Sequence, residues 1–233
     1  MTEPTPLLLI PGLMCSPRLY AEQVPQLWSL GPVTIADHTR DDRMSAIAQR
    51  ILASAPPRFA LIGLSMGGYL SFEIMRQSPE RVVRLALLDT SARPDTPEQS
   101  EARRAQIALA GSGRLAEALD ALFPRLVHPK HRTDERVRQV LNQMAAEVGV
   151  DGFVRQQLAN IGRPDSQPGL SAIRCPTLVL VGDCDELTPP DRAAEMANSI
   201  TGARLVTVPE SGHASAVEQP EYVTQALLEF LQA

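Results

Sequence analysis

A serine stands between two glycines in the run Gly63-Leu64-Ser65-Met66-Gly67, where an apolar stretch gives way to a helical pattern. The G-x-S-x-G pattern is typical of a sharp strand-to-helix turn, because the strand and helix backbones approach each other there and leave no room for larger side chains. Such a turn projects the hydroxyl of Ser65 and leaves the backbone N–H of Met66 at a helix N-terminus, facing a developing negative charge. By itself the pattern is equally compatible with a structural turn serine.

Residues that could activate Ser65 follow two later apolar runs. Asp185 comes after the run 177–181, and His213 comes after the run 205–208. Because catalytic groups of open parallel sheets collect at the carboxyl ends of the strands, we expect these side chains to meet Ser65. The order serine, aspartate, histidine is the one that accompanies this turn. Histidine can take the serine proton near neutral pH, and a carboxylate can hold its tautomer, so we predict a nucleophile, an acid and a base in these roles.

The elements that must position these residues alternate between short apolar runs and helical patterns. Continuous apolar runs indicate strands covered on both faces, which is typical of a parallel sheet between helices. The predicted strands are Leu7–Ile10, 33–36, Phe59–Leu64, Val82–Leu88, 177–181 and 205–208, and the predicted helices are Met44–Ser54, Met66–Gln77, Pro190–Ser199 and 221–231. The alternation predicts an α/β fold with a doubly wound, mostly parallel sheet of about six strands.

The alternation stops between about residues 93 and 173. There the chain is charged, alanine-rich and helical in period over 97–110, 115–122 and 133–147. The segment has no β-rich pattern of its own and is bounded by stretches rich in glycine, proline and serine. We therefore predict a core of residues 1–92 and 174–233, with residues 93–173 inserted as a helical cap over the sheet.

Composition narrows the choice of partners. The formal net charge of −5 argues against nucleic acid and against an anionic membrane, because both favour a basic face, so a small-molecule substrate is expected. The first residues lack the basic segment of a signal peptide, and Pro11-Gly12 cuts the first apolar run short, so the expected location is the cytoplasm. Three widely spaced cysteines fit buried thiols in a reducing compartment. The oligomeric state is open.

The remaining histidines and a cysteine suggest no cofactor and no metal. His128 and His131 are separated by proline and lysine and lack nearby carboxylate or thiolate ligands, which favours a solvated loop over a metal site. Cys15 is read as a small buried thiol rather than a nucleophile. His38 follows the run 33–36, in a loop whose end could border a pocket.

Four segments together carry a family resemblance. They are Leu9-Ile10-Pro11-Gly12-Leu13-Met14, Gly63-Leu64-Ser65-Met66-Gly67-Gly68, Gly182-Asp183-Cys184-Asp185-Glu186-Leu187-Thr188-Pro189, and Ser211-Gly212-His213 followed by Glu218-Gln219-Pro220-Glu221. In this order and context the chain resembles the α/β-hydrolase fold superfamily and is similar to its small cap-bearing serine esterases and lactonases. Two departures stand out: Pro11 replaces the usual histidine, and the chain starts with what resembles the third family strand, so the N-terminal hairpin of the family sheet is missing.

The resemblance implies roles for further residues. The backbone N–H groups of Leu13 and Met66 would form an oxyanion hole, and Met14, Trp28 and Tyr69 are candidates to line an acyl pocket. The acid is expected at Asp185, because it precedes Thr188-Pro189-Pro190 in the family spacing.

Two other aspartates stay open as alternatives for the acid. Asp183 could instead form a turn, because an aspartate side chain can accept a hydrogen bond from the nearby backbone. Asp89 ends the strand Val82–Leu88, which is the other place from which the superfamily supplies its acid, although a loop-capping role is favoured there.

The expected function is hydrolysis of a carboxylic ester, thioester or lactone of a small apolar acid through an acyl-enzyme on Ser65. A carbon–carbon bond hydrolase or a lyase using the same three residues is the alternative, because the scaffold does not fix the bond that is broken. A ligand-binding protein that kept the fold without the chemistry is a third possibility. Aspartate-dependent dehalogenases and epoxide hydrolases are excluded by the serine at position 65.

Overall fold

The computed structural model describes residues 4–233 and is built on a six-stranded sheet in the order β2-β1-β3-β4-β5-β6. Every neighbouring pair in this order is parallel. The strands are β1 (Leu7–Ile10), β2 (Val33–Ile35), β3 (Phe59–Leu64), β4 (Val82–Leu88), β5 (Thr177–Gly182) and β6 (Arg204–Val208). The predicted α/β fold with a doubly wound parallel sheet is confirmed.

Helices cover both faces of the sheet, which explains why the central strands have no polar side. The helices are α1 (Val24–Leu27), α2 (Met44–Ser54), α3 (Met66–Gln77), α4 (Pro97–Gly111), α5 (Leu115–Leu126), α6 (Glu135–Ile161), α7 (Pro190–Ser199), α8 (Ser215–Glu218) and α9 (Pro220–Gln232). Successive strand residues point to opposite faces. Leu8 and Leu61 therefore pack with α2, α3 and α7, whereas Leu9 and Ile62 pack with α1, α8 and α9.

The winding of the chain reverses between β1 and β3. From β1 the chain forms β2 on one side and then returns to form β3 on the other side of β1. In open α/β sheets such a switch point opens a crevice at the carboxyl ends of the strands. The loop after β1, which contains Gly12 to Met14, and the turn after β3, which contains Ser65, flank this crevice.

The edge strand β6 differs from the prediction. It begins at Arg204, and Leu205 is 42% exposed, because β6 pairs on one side only. Among residues 4–233, no helix combines the length and the apolarity that crossing a bilayer requires.

Three helices, α4, α5 and α6, fill the segment between β4 and β5 and pack on one another. Within the described residues this helical insertion contains no strand. The predicted third helix, 133–147, is longer in the structure: α6 bends at Gly149, where φ is 69°, and continues to Ile161. Glycine can take this left-handed conformation without strain, so the helix resumes after the bend instead of ending there.

Candidate active site

Ser65 occupies the tight turn between β3 and α3. Its backbone has φ 56° and ψ −114°, a conformation that a residue with a side chain adopts only under constraint from its surroundings. The flanking glycines explain how the turn closes. A Cβ on Gly67 would lie 2.0 Å from the carbonyl oxygen of Ile10, and a Cβ on Gly63 would lie 2.3 Å from the carbonyl oxygen of Gly67. Both positions therefore require glycine, as the sequence pattern predicts.

Three side chains from separate strand ends form one hydrogen-bonded chain. The Oγ atom of Ser65 lies 2.7 Å from Nε2 of His213, and Nδ1 of His213 lies 2.8 Å from Oδ2 of Asp185. The side chains of His213 and Asp185 are buried, at 6% and 0% exposure. The structure thus brings together the three residues that the sequence singles out.

The Asp185 carboxylate is held by the backbone and side chain of the following turn. Its Oδ1 accepts hydrogen bonds from the N–H groups of Leu187 and Thr188, and its Oδ2 accepts one from the Thr188 hydroxyl at 2.8 Å. The same hydroxyl oxygen lies 3.2 Å from Nδ1 of His213. Thr188 therefore steadies both members of the pair, a role that the sequence pattern does not reveal.

The buried ion pair controls the titration of both partners. Burial alone would raise the pKa of Asp185, but the imidazole of His213 and the hydrogen bonds from Thr188 lower it below its ordinary value of 3.8. Burial alone would lower the pKa of His213, but the charge and hydrogen bond of Asp185 raise it above 6.5. A carboxylate at this position thus favours the imidazolium, the species that forms when histidine accepts a proton.

Asp183 lies on the same loop and makes no hydrogen bond to the ring of His213. Its carboxylate oxygens accept hydrogen bonds from the backbone N–H groups of Glu210 and Ser211, each at 3.0 Å. It ties the loop after β5 to the loop after β6, a long-range role that differs from the local turn-forming role predicted for it from the sequence.

Asp89 is a second buried carboxyl group near the site. It accepts a hydrogen bond from the N–H of Gly182 at 3.0 Å and one from the hydroxyl of Ser215, and it makes no hydrogen bond to His213. Burial and the neighbouring charge of Asp185 raise the pKa of Asp89 to about 8. Asp185, and not Asp89, is therefore the carboxyl group that hydrogen-bonds the imidazole.

Two backbone N–H groups flank Ser65, one in the nucleophile turn and one in the loop that packs against it. Met66 is the first residue of α3, so its N–H has no acceptor inside the helix. Leu13 lies on the loop after β1 and lines the same cavity as Ser65, and its N–H forms no hydrogen bond to another residue of the described chain. A Cβ on Gly12 would lie 3.3 Å from Cβ of Ser65, so this loop packs directly against the nucleophile turn.

The loop after β1 is held from the far side by α6. Met14 has a left-handed φ of 60°, and its N–H donates to Oε1 of Gln156 at 3.0 Å. This bond turns Nε2 of Gln156 toward the ring of His38, and the distance from Nε2 of Gln156 to Nε2 of His38 is 3.0 Å. The same His38 nitrogen lies 2.9 Å from the carbonyl oxygen of Gly12. The two contacts of His38 require opposite tautomers, so one of them is a hydrogen bond at any time.

Gln156 and His38 together form a brace that holds the loop after β1. In this loop, Pro11 stands at the position where the family resemblance leads us to expect a histidine. Both side chains are buried, and burial lowers the pKa of His38, which keeps the ring neutral. Sequence reasoning missed Gln156, which lies 142 residues from Met14 in the chain. Its only signal is a polar residue on the buried face of a helix.

A cavity of about 310 Å³ is lined by Ser65 and His213 and by residues of α4, α5 and α6. This volume lies within the range of small-molecule sites. Much of its wall is apolar, with side chains from the loop after β1, from α5 and from α6: Leu13, Met14, Leu19, Leu119, Phe123, Leu126, Leu141 and Phe153.

Two of the three predicted pocket residues line this cavity. Met14 and Tyr69 are part of its wall. The prediction for Trp28 was wrong. Its side chain is 73% exposed at the end of α1 and does not reach the cavity, because α1 packs on the opposite side against α9.

Cys15 was considered as a nucleophile and His128 and His131 as metal ligands, and the structure shows what surrounds each of them. Burial raises the pKa of Cys15 to about 12, so the thiol that lines the cavity stays protonated and is a poor nucleophile at neutral pH. His131 bonds Glu218 through Nδ1 at 2.9 Å. His128 lies instead near Asp183 and Cys184, with ligand atoms within 4.8 Å of one another, but backbone N–H groups already occupy the Asp183 oxygens.

The sequence profile of the alpha/beta hydrolase family matches residues 7–226. The chain belongs to this family. The match spans the sheet, the helical insertion and the three hydrogen-bonded side chains, and the chain is an α/β-hydrolase enzyme.

Known hydrolases share its sequence and architecture. A thermophilic esterase from Thermogutta terrifontis, solved with malate bound, is 32% identical, and the superposition covers 99% of this hydrolase and 90% of that chain with a TM-score of 0.90. The pimeloyl-acyl carrier protein methyl ester esterase of Chromobacterium violaceum is 26% identical over 80% of this chain and 75% of that protein. The enol-lactonase of Burkholderia xenovorans LB400, 24% identical with a TM-score of 0.85 over 98% of this chain and 92% of that one, shares the fold.

Proposed function

We propose that this hydrolase cleaves a carboxylic ester, thioester or lactone of a small, largely apolar acid through an acyl-enzyme on Ser65. The observation that carries the proposal is the contact of 2.7 Å between Ser65 Oγ and His213 Nε2 in the wall of a cavity. A serine hydroxyl is a weak nucleophile, and a base at this distance activates it.

In the first half of the reaction, Oγ of Ser65 attacks the substrate carbonyl carbon while Nε2 of His213 takes the hydroxyl proton. The carbonyl oxygen becomes an oxyanion that the N–H groups of Leu13 and Met66 stabilise. Asp185 remains ionised and stabilises the imidazolium. The imidazolium then protonates the leaving oxygen or sulfur, the bond to the leaving group breaks, and the acyl group stays on Ser65.

In the second half, a water molecule takes the place of the leaving group. His213 removes a proton from the water, the resulting hydroxide attacks the acyl carbon, and the same N–H groups stabilise the second oxyanion. The proton returns to Oγ of Ser65 as the acid is released. The helical insertion acts as a cap that surrounds the acyl chain with apolar side chains from α5 and α6.

The relatives support ester chemistry. One acts on a methyl ester and another is a thermophilic esterase. A carbon–carbon bond hydrolase with the same residues remains the competing outcome, because fold and nucleophile are common to both chemistries.

Covalent labelling tests the proposal. A fluorophosphonate probe should label the wild-type enzyme and the Ser91→Ala variant, because Ser91 lines the cavity without a histidine partner. Ser65→Ala should lose both the label and the turnover of p-nitrophenyl butyrate. Label retained by Ser65→Ala would contradict the assignment. A labelled enzyme that cleaves a vinylogous diketone and no ester would identify the carbon–carbon hydrolase instead.

A further inference from the structure

The cavity beside Ser65 has a cationic wall. Within the described residues it contains no aspartate or glutamate, although acidic residues outnumber basic ones in the chain, 27 to 22. It contains five arginines: Arg93, Arg103, Arg125, Arg163 and Arg192. An acidic protein that lines its reaction cavity with arginine presents a field that attracts anions to the site.

The five arginines differ in how their charge is neutralised. Arg93 and Arg192 pair with Glu195 and Asp191, and the exposed Arg125 lies 4.0 Å from Glu186, which also pairs with Arg132 at the protein surface. By contrast, Arg103 and Arg163 share a single carboxylate, Asp95, whose side chain is 1% exposed. Two guanidinium groups and one carboxylate leave one net positive charge in the buried wall.

Arg163 is the more enclosed of this pair, with a side chain 6% exposed. Its Nε donates to the carbonyl oxygen of Arg93, and its Nη1 donates to Asp95 and to the carbonyl oxygen of Asn160. Its Nη2 makes no hydrogen bond to another residue of the described chain. Guanidinium nitrogens carry hydrogens that need acceptors, so this edge can still bind an anion.

Tyr69 stacks on the guanidinium of Arg163. The Cζ atom of Arg163 lies 4.3 Å from the centre of the Tyr69 ring, a stacked arrangement that restricts its orientation. Tyr69 lies one helical turn after Ser65, and its N–H donates to the Ser65 carbonyl oxygen at 3.3 Å. Tyr69 therefore contacts Arg163 through its ring and Ser65 through its backbone.

Asn160 adds an independent sign of an unfilled polar site. The residue is 1% exposed and lines the cavity, and its Oδ1 has no hydrogen-bond partner within the described chain. A buried amide oxygen without a partner is unfavourable unless a ligand or a rotated amide completes it. Rotation of the amide presents either its oxygen or its two N–H groups, so Asn160 can donate to an anion beside Arg163.

We infer that the hydrolase takes substrates whose acyl chain ends in a carboxylate, which binds to Arg163 and Asn160. The inference rests on the proposed function and adds a substrate class. One net positive charge matches one carboxylate, whereas a phosphate monoester carries about two negative charges at neutral pH. We assign the carboxylate to the acyl chain because the leaving group must depart to solvent, whereas the side chain of Arg163 is only 6% exposed.

A matched pair of esters tests the inference. Monomethyl adipate and methyl 6-methylheptanoate have the same chain length and nearly the same shape, but the first ends in a carboxylate and the second in an isopropyl group. We expect kcat/KM to be about 10- to 100-fold higher for monomethyl adipate, the range of a charged hydrogen bond. Equal rates, or preference for the uncharged ester, would overturn the inference.

Three variants assign the preference to a residue. Arg163→Met should abolish the preference for the charged ester, because kcat/KM should fall about 10- to 100-fold more for that ester than for the uncharged one. Arg163→Lys should retain part of the preference, because it keeps the charge without the planar donors. Arg104→Met removes an exposed arginine of α4 that does not line the cavity and should keep the full preference. An equal loss for both esters in Arg163→Met would indicate a structural role and overturn the assignment.

Binding to the inactive variant separates this inference from the proposed function. The thermal midpoint of Ser65→Ala should rise more with monomethyl adipate than with the uncharged ester, because the ligand binds the folded state. If this difference is present but wild type cleaves neither ester, the carboxylate site stands and the proposed esterase function fails. If wild type cleaves both esters equally and Ser65→Ala shows no difference, the carboxylate site fails alone.

Discussion

The side chain of Gln156 on α6 accepts a hydrogen bond from the backbone N–H of Met14 at 3.0 Å. Met14 follows directly on Leu13 and has a left-handed φ of 60°. A residue of the helical insertion thus holds the loop whose N–H group is proposed to face the oxyanion. Because an oxyanion donor must be held in position before the charge develops, this contact links the insertion to the rate of the chemical step.

Replacing Gln156 by leucine should lower kcat by about 10- to 100-fold with little change in KM, less than the effect of losing an oxyanion donor entirely. Affinity for a trifluoromethyl ketone, which forms the tetrahedral adduct, should fall in parallel with kcat/KM. Gln156→Glu keeps an acceptor for Met14 and should recover much of the rate. Gln139→Leu, an exposed position of the same helix, is the control and should match wild type. Unchanged inhibitor affinity in Gln156→Leu would show that the brace does not act on the oxyanion site.

The three aspartates near the site should rank by their contact with His213. Asp185→Asn removes the carboxylate 2.8 Å from Nδ1 and should lower kcat by about 10³- to 10⁴-fold. Asp183→Asn and Asp89→Asn should each stay within about tenfold of wild type, because Asp183 bonds backbone N–H groups and Asp89 makes no hydrogen bond to His213. Steady-state rates on one aryl ester give the ranking. A larger loss in Asp89→Asn than in Asp185→Asn would reverse the assignment of the acid.

The pH dependence of kcat/KM should follow the protonation of His213. Only neutral His213 can accept the serine proton, so kcat/KM should fall as the pH drops through an apparent pKa above 6.5, where burial is outweighed by the charge of Asp185. In Asp185→Asn the raising influence is lost and burial remains, so the apparent pKa should move downward. A pH profile of both proteins on an uncharged ester measures this. An apparent pKa that moves upward in Asp185→Asn would contradict the ion pair.

Gly67 should be among the least replaceable residues of the turn. A Cβ there would lie 2.0 Å from the carbonyl oxygen of Ile10, so Gly67→Ala should reduce the free energy of unfolding by roughly 3 kcal/mol or more, or prevent folding. Gly111, at the end of α4, has open space around a new Cβ. Gly111→Ala should leave stability unchanged or raise it by up to about 1 kcal/mol. Urea denaturation of the two variants measures the contrast, and equal stabilities would refute the close approach.

The sheet and the nucleophile turn follow from local sequence. The strands β1, β3 and β4 and the helices α2, α3 and α7 begin and end at the predicted residues, because continuous apolar runs and glycine boundaries act over a few residues. The chain order of Ser65, Asp185 and His213 predicts which side chains meet, since parallel strands bring their carboxyl ends to one edge.

The site residues that the sequence did not predict lie mainly after the bend in α6. Gly149 interrupts the helical pattern, so residues 148–161 were not predicted as helix, and Gln156 and Asn160 lie in that stretch, with Arg163 just beyond it. Their partners, Met14 and Tyr69, come from distant parts of the chain. Contacts of this kind depend on how the insertion packs on the sheet, which no local pattern encodes. Trp28 was misplaced for a related reason: an aromatic residue near a site in sequence can face solvent once its helix packs.

The most direct test of the central claim is the mass of the enzyme during turnover. The hydrolase is mixed with p-nitrophenyl butyrate and quenched in acid within milliseconds, and the intact mass and the peptide that contains Ser65 are then measured. A mass increase of one butyryl group on Ser65, formed together with a burst of about one p-nitrophenolate per enzyme, is the predicted result. Turnover of the ester with the butyryl group on another residue would contradict an acyl-enzyme on Ser65.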